Sequence, residues 1–260
     1  MKRLTKGFLE KLYRKYNRKE FVHPDPLEFL YNYDDPLDRE IAGMVASSLA
    51  YGRVHQIIKS VAKVLDRMSP SPRLFLKKSS ASSTANAFSA FKHRFTTGGE
   101  LSSMLMGIKK VIKKHGSLQG CFLEGLGRKD ETVLPALCSF ISEITGSMEC
   151  GTSLLPIPGR QSAFKRLNLF LRWMVRKDAV DPGGWNNVSP SRLIIPLDIH
   201  MHRIGLTFGM TSRKQGDIRT ALDITEALRK ICPADPVKYD FCLTRTGIKV
   251  EGRKISLPAS

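Results

Sequence analysis

Apolar residues recur at helical spacing along most of the chain, and alternating strand patterns are nearly absent. The clearest repeat follows Asp38, where apolar side chains return every three or four residues up to Leu49. A second repeat follows the break at residues 50–53 and ends before Pro70. Together they predict a buried helical hairpin with a polar, Gly-containing turn. No repeat of fixed period is present, and we predict an all-α protein.

The same spacing predicts further helices on both sides of this hairpin. Either Asp35 or Asp38 can cap the first helix of the hairpin. The Ser/Ala-rich stretch 78–89 is locally low in complexity and fits a loop or a weak helix. The other predicted helices cover residues 4–17, a segment from Glu100 that ends before Gly116, residues 134–144, residues 218–231 with Asp217 as the cap, and a last helix from Asp235-Pro236 through Leu243.

One segment, residues 165–176, combines an apolar face with a basic stripe. At 100° per residue, Asn168, Arg172 and Arg176 fall within about 60° of Lys165, while the large apolar side chains gather on the other side. Two interpretations stay open for this stripe. It is either the solvated face of a surface helix or a face that contacts phosphates.

The segments on either side of this helix add an anion site and a carboxylate. Upstream, residues 156–162 form a Gly-containing approach whose backbone amides, with Arg160 beside them, suit a DNA phosphate. Downstream, a loop rich in Gly and Pro precedes Asp198, which opens the next helix. If the loop folds the chain back, Lys165 and Asp198 meet. Asp198 then acts either as a helix cap alone or as a cap with a catalytic role.

The charge balance narrows the class of partner. The chain carries 42 Lys+Arg against 24 Asp+Glu, a formal net charge of +18. Such an excess predicts a polyanionic partner: DNA, RNA or an anionic membrane surface. Charges interrupt the N-terminal segment where a signal peptide would be apolar, and no apolar run is long enough to span a bilayer, so a soluble intracellular protein is expected.

Metal and redox centres are not predicted. The five cysteines form no CxxC pair, which indicates reduced thiols without a zinc or iron–sulfur framework. The string Asp198-Ile199-His200-Met201-His202 suggests metal ligands, but only Asp198 and His202 share a helix face. We therefore expect no metal and no cofactor.

The order of these features resembles the helix-hairpin-helix (HhH-GPD) DNA glycosylase superfamily. The shared features are a Gly-containing hairpin, a lysine on the following helix, a loop, and an aspartate that opens the next helix. The long separation between Lys165 and Asp198 is similar to that of the archaeal 8-oxoguanine DNA glycosylases. The whole chain also resembles a prokaryotic family of unassigned function. The resemblance covers about residues 36–210 and includes the N-terminal helical hairpin.

The resemblance implies a two-lobed helical fold. A six-helix barrel domain would cover residues 36–180, with the hairpin and the lysine helix, and residues 1–35 and 181–260 would form a second, discontinuous lobe. It implies a base-excision repair glycosylase with abasic-site (AP) lyase activity on a damaged base, for which an oxidised purine is one option. Lys165 would form the Schiff base and Asp198 would stabilise the cationic sugar. The alternative is a non-catalytic DNA- or RNA-binding protein on the same scaffold.

The expected partner is double-stranded DNA with the damaged base flipped out of the stack, bound by a monomer in the cytoplasm at the nucleoid, with no membrane involved. Either Tyr51 or Arg53 would fill the gap that the flipped base leaves. The residues expected to contact DNA are Tyr51, Arg53, Arg160, Gln161, Ser162, Arg166, Asn168, Arg172, Arg176, His202 and Arg203.

Overall fold

A computed structural model describes residues 4–146, 153–156 and 162–248, and these ranges are predominantly helical. The prediction of an all-α protein is confirmed. The strands in the described ranges are the two-residue strands β1 (Lys92–His93) and β2 (Thr96–Thr97), which pair antiparallel. The α-helices are α1 (Lys6–Tyr16), α2 (Pro36–Ser48), α3 (Val54–Arg67), α4 (Pro72–Lys78), α5 (Ala81–Ala87), α6 (Gly98–His115), α7 (Leu118–Glu124), α8 (Leu134–Thr145), α9 (Lys165–Val175), α10 (Ile199–Thr207), α11 (Ile218–Arg229) and α12 (Asp240–Ile248).

Local capping chemistry accounts for several helix starts. The Asp35 side chain accepts from the backbone N–H of Leu37 at 2.9 Å, so Asp35 and not Asp38 caps α2. Asp217 caps α11 as predicted. The Ser/Ala-rich stretch contains a short helix, α5, which begins with a capping box at Ser80.

The last helix begins later than predicted. Asp235-Pro236 lies in a run of turns, and α12 starts only at Asp240. The Asp235 carboxylate does not cap a helix, and its Oδ2 accepts a hydrogen bond from Arg176 Nε at 2.9 Å. The side chain that the sequence pattern predicts as a helix cap instead forms an ion pair with Arg176, a residue distant in sequence.

Helix α9 runs through the core. It packs across α2, and all of its residues from Leu167 to Val175 except Leu169 are buried. Phe170 stacks on Phe140 of α8, with ring centroids 6.4 Å apart, and meets Trp185 edge-on at 5.1 Å. The helix that carries Lys165 is therefore held on several sides, which fixes the position of its first turn.

A buried carboxylate ties α2 to the segments around it. Glu40 is 1% exposed and accepts hydrogen bonds from the backbone N–H of Leu118 at 2.7 Å, that of Gln119 at 3.1 Å and Trp185 Nε1 at 2.9 Å. Burial raises the pKa of Glu40 to about 7, although these donors favour the ionised form. The folded protein thus keeps a proton on Glu40 at pH values where the unfolded chain has lost it.

We expect the free energy of unfolding to fall as pH rises from 5 to 8, by up to about 3 kcal/mol from Glu40 alone. The sign follows because the folded state binds more protons than the unfolded state between the two pKa values. Urea unfolding at several pH values measures this slope. Glu40→Gln should flatten it, whereas the exposed Glu131→Gln should leave it unchanged. Parallel pH profiles for wild type and Glu40→Gln would contradict the assignment.

The two ends of the described chain meet beside α9. Helix α1 packs against α12, and α12 packs against α10. The structure therefore brings residues from near both termini to the start of α9. The division into residues 36–180 and a second lobe stays a prediction. Within the described ranges, no helix is long and apolar enough to cross a membrane.

Candidate active site

Lys165 and Asp198 lie together at the surface end of α9. Lys165 Nζ is 3.5 Å from Asp198 Oδ2, and the two side chains are 40% and 23% exposed. The expectation that the loop of residues 177–190 brings them together is confirmed by this distance. Both groups are partly shielded from solvent and remain accessible to a ligand.

The backbone fixes both residues at helix starts. Phe164, which precedes α9, is buried and has a left-handed conformation with φ of 51°, which is uncommon for a residue with a side chain. Asp198 precedes α10, and its Oδ1 accepts from the backbone N–H of Met201 at 2.8 Å. One carboxylate oxygen caps α10 while the other faces Lys165, so the capping role leaves the second oxygen free for chemistry.

Lys165 and Asp198 line a pocket of about 180 Å³. This volume suits a single ring system better than a drug-sized ligand, whose pockets start at roughly 300 Å³. Its walls come from residues 24–26, the α2–α3 turn with the start of α3, helix α9, residues 196–198 and helix α12. Lys165 also lines a second pocket of about 310 Å³, together with Tyr51, Ser162 and Arg166 among others.

The polar stripe of α9 beyond Lys165 does not face solvent. Asn168, Arg172 and Arg176 are 1%, 3% and 4% exposed, so the prediction that these three contact DNA is wrong. Both arginines donate to Asp181, which is fully buried; Arg172 also donates to Asp240, and Arg176 also donates to Asp178 and Asp235. A phosphate cannot reach guanidinium groups that carboxylates already surround in the interior.

This ion-pair cluster holds more acids than bases. Two guanidinium groups face four carboxylates, those of Asp178, Asp181, Asp235 and Asp240. Burial raises the pKa of Asp240 to about 6, against the lowering effect of Arg172, and the nearby charge of Asp198 adds to the rise. The pKa of Arg172 stays high because the surrounding carboxylates outweigh its own burial.

The turn between α2 and α3 is anchored to the β1–β2 hairpin. Tyr51 Oη lies 2.8 Å from the carbonyl oxygen of His93 and 2.6 Å from Thr96 Oγ1. Gly52 has φ of 98°, a conformation that favours glycine, and a Cβ there would lie 2.7 Å from the side chain of Arg94, which would have to move aside. Arg53 is exposed at the start of α3. Which residue of this turn could enter a DNA gap stays a prediction.

Arg166 makes its contacts within the protein. Its Nη1 donates to the carbonyl of Ser48 at 2.7 Å and its Nη2 to that of Ser153 at 2.9 Å, and its guanidinium lies 5.2 Å from the centre of the Tyr51 ring. Burial lowers the pKa of Arg166. These bonds join α9 to the end of α2, and a DNA contact by Arg166 stays a prediction.

The remaining sequence-predicted contact residues differ in their surroundings. Ser162 Oγ accepts from the N–H of Phe164 at 3.1 Å, and Arg160 and Gln161 lie outside the described residues. His202 Nε2 lies 2.8 Å from the carbonyl of Arg213, while Arg203 is exposed on α10. Within the described part of the chain, no group of three or more His, Cys, Asp or Glu side chains is arranged to hold a metal ion.

Sequence reasoning missed the wall that α12 contributes. Asp240 and Arg245 line the pocket from this side, and Arg245 Nη2 donates to Asp25 at 2.8 Å across 220 residues of sequence. The sequence did contain one signal for this wall, because Asp240 is the only charged residue in the apolar run from Tyr239 to Leu243. A carboxylate in such a run is buried only when it is paired, which predicts a buried ion pair at this position.

Two large apolar side chains project into solvent on segments next to the site. Phe95, at the tip of the β1–β2 hairpin, is 75% exposed, and Ile199, the residue after Asp198, is 77% exposed.

Comparison with known proteins places the chain in one family. The model of a family described as proteins of unknown function, DUF2400, matches residues 25–249. The chain belongs to this family, whose matched region includes Lys165, Asp198 and every wall of the pocket except Pro24. No curated protein and no solved structure matches the chain significantly.

Proposed function

We propose that this protein is a DNA base-excision repair glycosylase with AP lyase activity, acting on a damaged base of the oxidised-purine class. The observation that carries the proposal is the Lys165–Asp198 pair, 3.5 Å apart at the mouth of a small pocket. The two-lobed helix-hairpin-helix arrangement is part of this proposal. The net charge of +18 supports a nucleic-acid partner.

In the proposed reaction the damaged nucleotide leaves the stack and its base enters the pocket, because the glycosidic carbon is unreachable in a duplex. The uncharged amine of Lys165 attacks C1′, and the bond from C1′ to the base breaks with its electron pair leaving on the base. Opening of the sugar ring, with protonation of O4′, gives an imine between Lys165 and C1′. Loss of a C2′ proton then expels the 3′ phosphate by β-elimination.

Asp198 serves this sequence in two ways. Its Oδ2 is close enough to Nζ to take part in moving the proton that Lys165 loses on attack. Its negative charge stabilises the positive charge that develops on the sugar as the base departs. The backbone N–H of Met201 donates to the other oxygen, Oδ1, so the Asp198 carboxylate is already oriented before substrate arrives.

Borohydride reduces the imine between Lys165 and C1′ to a stable bond, and this trapping tests the proposed function. Incubation of the protein with duplex oligonucleotides that contain an abasic site or an oxidised purine, in the presence of borohydride, should give a covalent adduct that survives denaturing electrophoresis. Salt-sensitive binding without an adduct on any substrate would favour the non-catalytic alternative. Tighter binding to structured RNA than to duplex DNA would favour an RNA-binding protein.

The substitution Asp198→Ser distinguishes the helix-capping role of Asp198 from its proposed catalytic role. Serine also caps helices, so the melting temperature should change little. The rate of adduct formation in single-turnover experiments should fall by about 10²-fold to 10⁴-fold, because the group that assists proton transfer is lost. Asp217→Ser, at the corresponding position before α11, is the matched control and should keep the wild-type rate. If Asp198→Ser also keeps the wild-type rate, Asp198 is a cap and nothing more.

A further inference from the structure

A groove of about 580 Å³ is lined by residues of α4 and α6. It is larger than either pocket that Lys165 lines and shares no lining residue with them. Its aliphatic walls are Leu74 and Leu76 of α4 and Ile112 of α6. Leu76 is 2% exposed and Leu74 is 49% exposed, so the groove joins a buried leucine to an exposed one. Covering this surface is favourable because it removes apolar area from water.

The other lining residues of the groove are all cations. Arg73 and Lys77 are four residues apart on α4, and Lys109 and Lys113 are four residues apart on α6, so each pair shares a helix face. In the described part of the chain, none of these four side chains forms an ion pair. Lys109 Nζ donates to the carbonyl oxygens of Lys77 and Ser79, and these neutral acceptors leave its charge uncompensated. Like charges at this spacing destabilise a helix modestly, and an anionic group bound beside them removes that cost.

This arrangement is local and does not simply follow from the net charge of +18. Another groove, of about 540 Å³, is lined by two basic and four acidic side chains: Lys129, Arg229, Asp130, Glu131, Asp223 and Glu226. The lining of the α4–α6 groove contains no acidic side chain. Because cations and aliphatic groups are concentrated together here, the matching ligand combines carboxylates with apolar side chains.

We propose that the α4–α6 groove binds an acidic amphipathic helix of a partner protein. Apolar side chains of that helix, at three- and four-residue spacing, lie along the aliphatic walls, and flanking Asp and Glu side chains lie against the cations. Helix α4 is seven residues long, about 10 Å, so about two to three turns of the partner fill the groove. This inference is independent of the proposed reaction at Lys165, because the groove and the site share no residue.

Other anionic partners match the groove less closely. A duplex presents mainly phosphates and sugars and has no side chains to cover the aliphatic walls, and unpaired bases stack on aromatic side chains, which this lining lacks. A membrane surface takes up projecting apolar side chains, whereas this surface is concave. A second copy of the chain brings its own charge of +18, and residues 249–260, outside the described ranges, carry three basic side chains against one acidic.

Fluorescence anisotropy with designed peptides tests the proposal. The probes are labelled helical peptides of about 14 residues with leucine on one face and glutamate on the others, in versions that differ in leucine spacing. A Glu/Gln peptide, in which glutamine replaces every leucine, keeps the charge and a similar helix propensity and removes the apolar face. We expect Glu/Leu peptides to bind, and the Glu/Gln peptide to bind at least about 10-fold more weakly.

Two substitutions with matched controls locate the binding. Leu74→Ser removes the exposed leucine of the groove, and Leu206→Ser removes a similarly exposed leucine of α10. Lys113→Glu reverses a charge of the groove, and Lys110→Glu reverses the charge of an exposed lysine of α6 outside it. Each groove variant should bind the Glu/Leu peptides about 5-fold to 20-fold more weakly, and each control within about 2-fold of wild type. Melting temperatures show whether the variants are folded.

The opposite results overturn the inference. If no Glu/Leu peptide binds at about 100 μM, or if the Glu/Gln peptide binds as tightly, the groove is not a site for an acidic amphipathic helix. Equal losses in the groove variants and their controls would assign peptide binding to the overall charge of the protein. If peptides do not bind, but duplex DNA or vesicles of anionic lipid bind and lose affinity with Leu74→Ser, the groove belongs to that partner instead.

Discussion

Lys165→Gln should abolish the borohydride-trapped adduct and slow strand cleavage at an abasic site by at least about 10³-fold, because glutamine cannot form an imine. Affinity for the same duplex should fall only a few-fold, since one cation among 42 Lys+Arg residues is removed. The side chain is partly exposed at the first turn of α9, so the substitution leaves the core untouched. Gel-based trapping and a binding titration at fixed salt measure the two quantities.

The matched control is Lys110→Gln, at an exposed lysine of α6 outside both pockets that Lys165 lines. It removes the same charge and should keep wild-type trapping. An adduct of undiminished yield with Lys165→Gln would mean that another amine forms the imine, and the proposed role of Lys165 would be wrong. Equal losses of binding and trapping in both lysine variants would point to a general charge effect.

Asp181→Ala should lower the free energy of unfolding by about 3–5 kcal/mol, the cost of leaving a buried charge without its partner. Asp181 is fully buried and accepts from both Arg172 and Arg176, so its loss affects two guanidinium groups in the interior. Urea unfolding followed by circular dichroism measures the change. Because Asp181 itself does not line the pocket, trapping by the folded fraction should be less affected than stability.

An exposed ion pair provides the comparison for Asp181. Glu20 lies 3.7 Å from Arg18, and both side chains are about 60% exposed. Glu20→Ala should change the free energy of unfolding by less than about 1 kcal/mol. A similarly small effect of Asp181→Ala would contradict the view that the cluster holds α9 in place.

The sequence predicts the helices well where local chemistry decides them. Asp217 caps α11 and Asp198 caps α10 because a short acceptor before an apolar repeat satisfies the free N–H groups of the first turn. The meeting of Lys165 and Asp198 was also predictable, since a loop between two helix starts needs only to fold back. The two caps depend on residues close together in sequence, and the Lys165–Asp198 pair depends on the chain folding back between two consecutive helices.

The environment of Arg172 and Arg176 was not predictable in the same way. A helical wheel gives the direction of a side chain, and it carries no information on what the rest of the chain places there. Asp181 follows α9 closely, but Asp235 and Asp240 come from segments about 60 residues away, and only the tertiary fold brings them to the arginines. For the same reason, the sequence alone does not identify Asp240 as a residue that lines the pocket.

The contact between Asp25 and Arg245 has a consequence for protein synthesis. The ribosome releases a chain from its N-terminus, so Lys165 and Asp198 emerge well before Asp240 and Arg245. A nascent chain that has reached only α11 contains Lys165 and Asp198 without the wall that α12 adds to their pocket. A premature stop codon before residue 240 would therefore leave a protein in which both residues are present and the pocket is open on the side of α12.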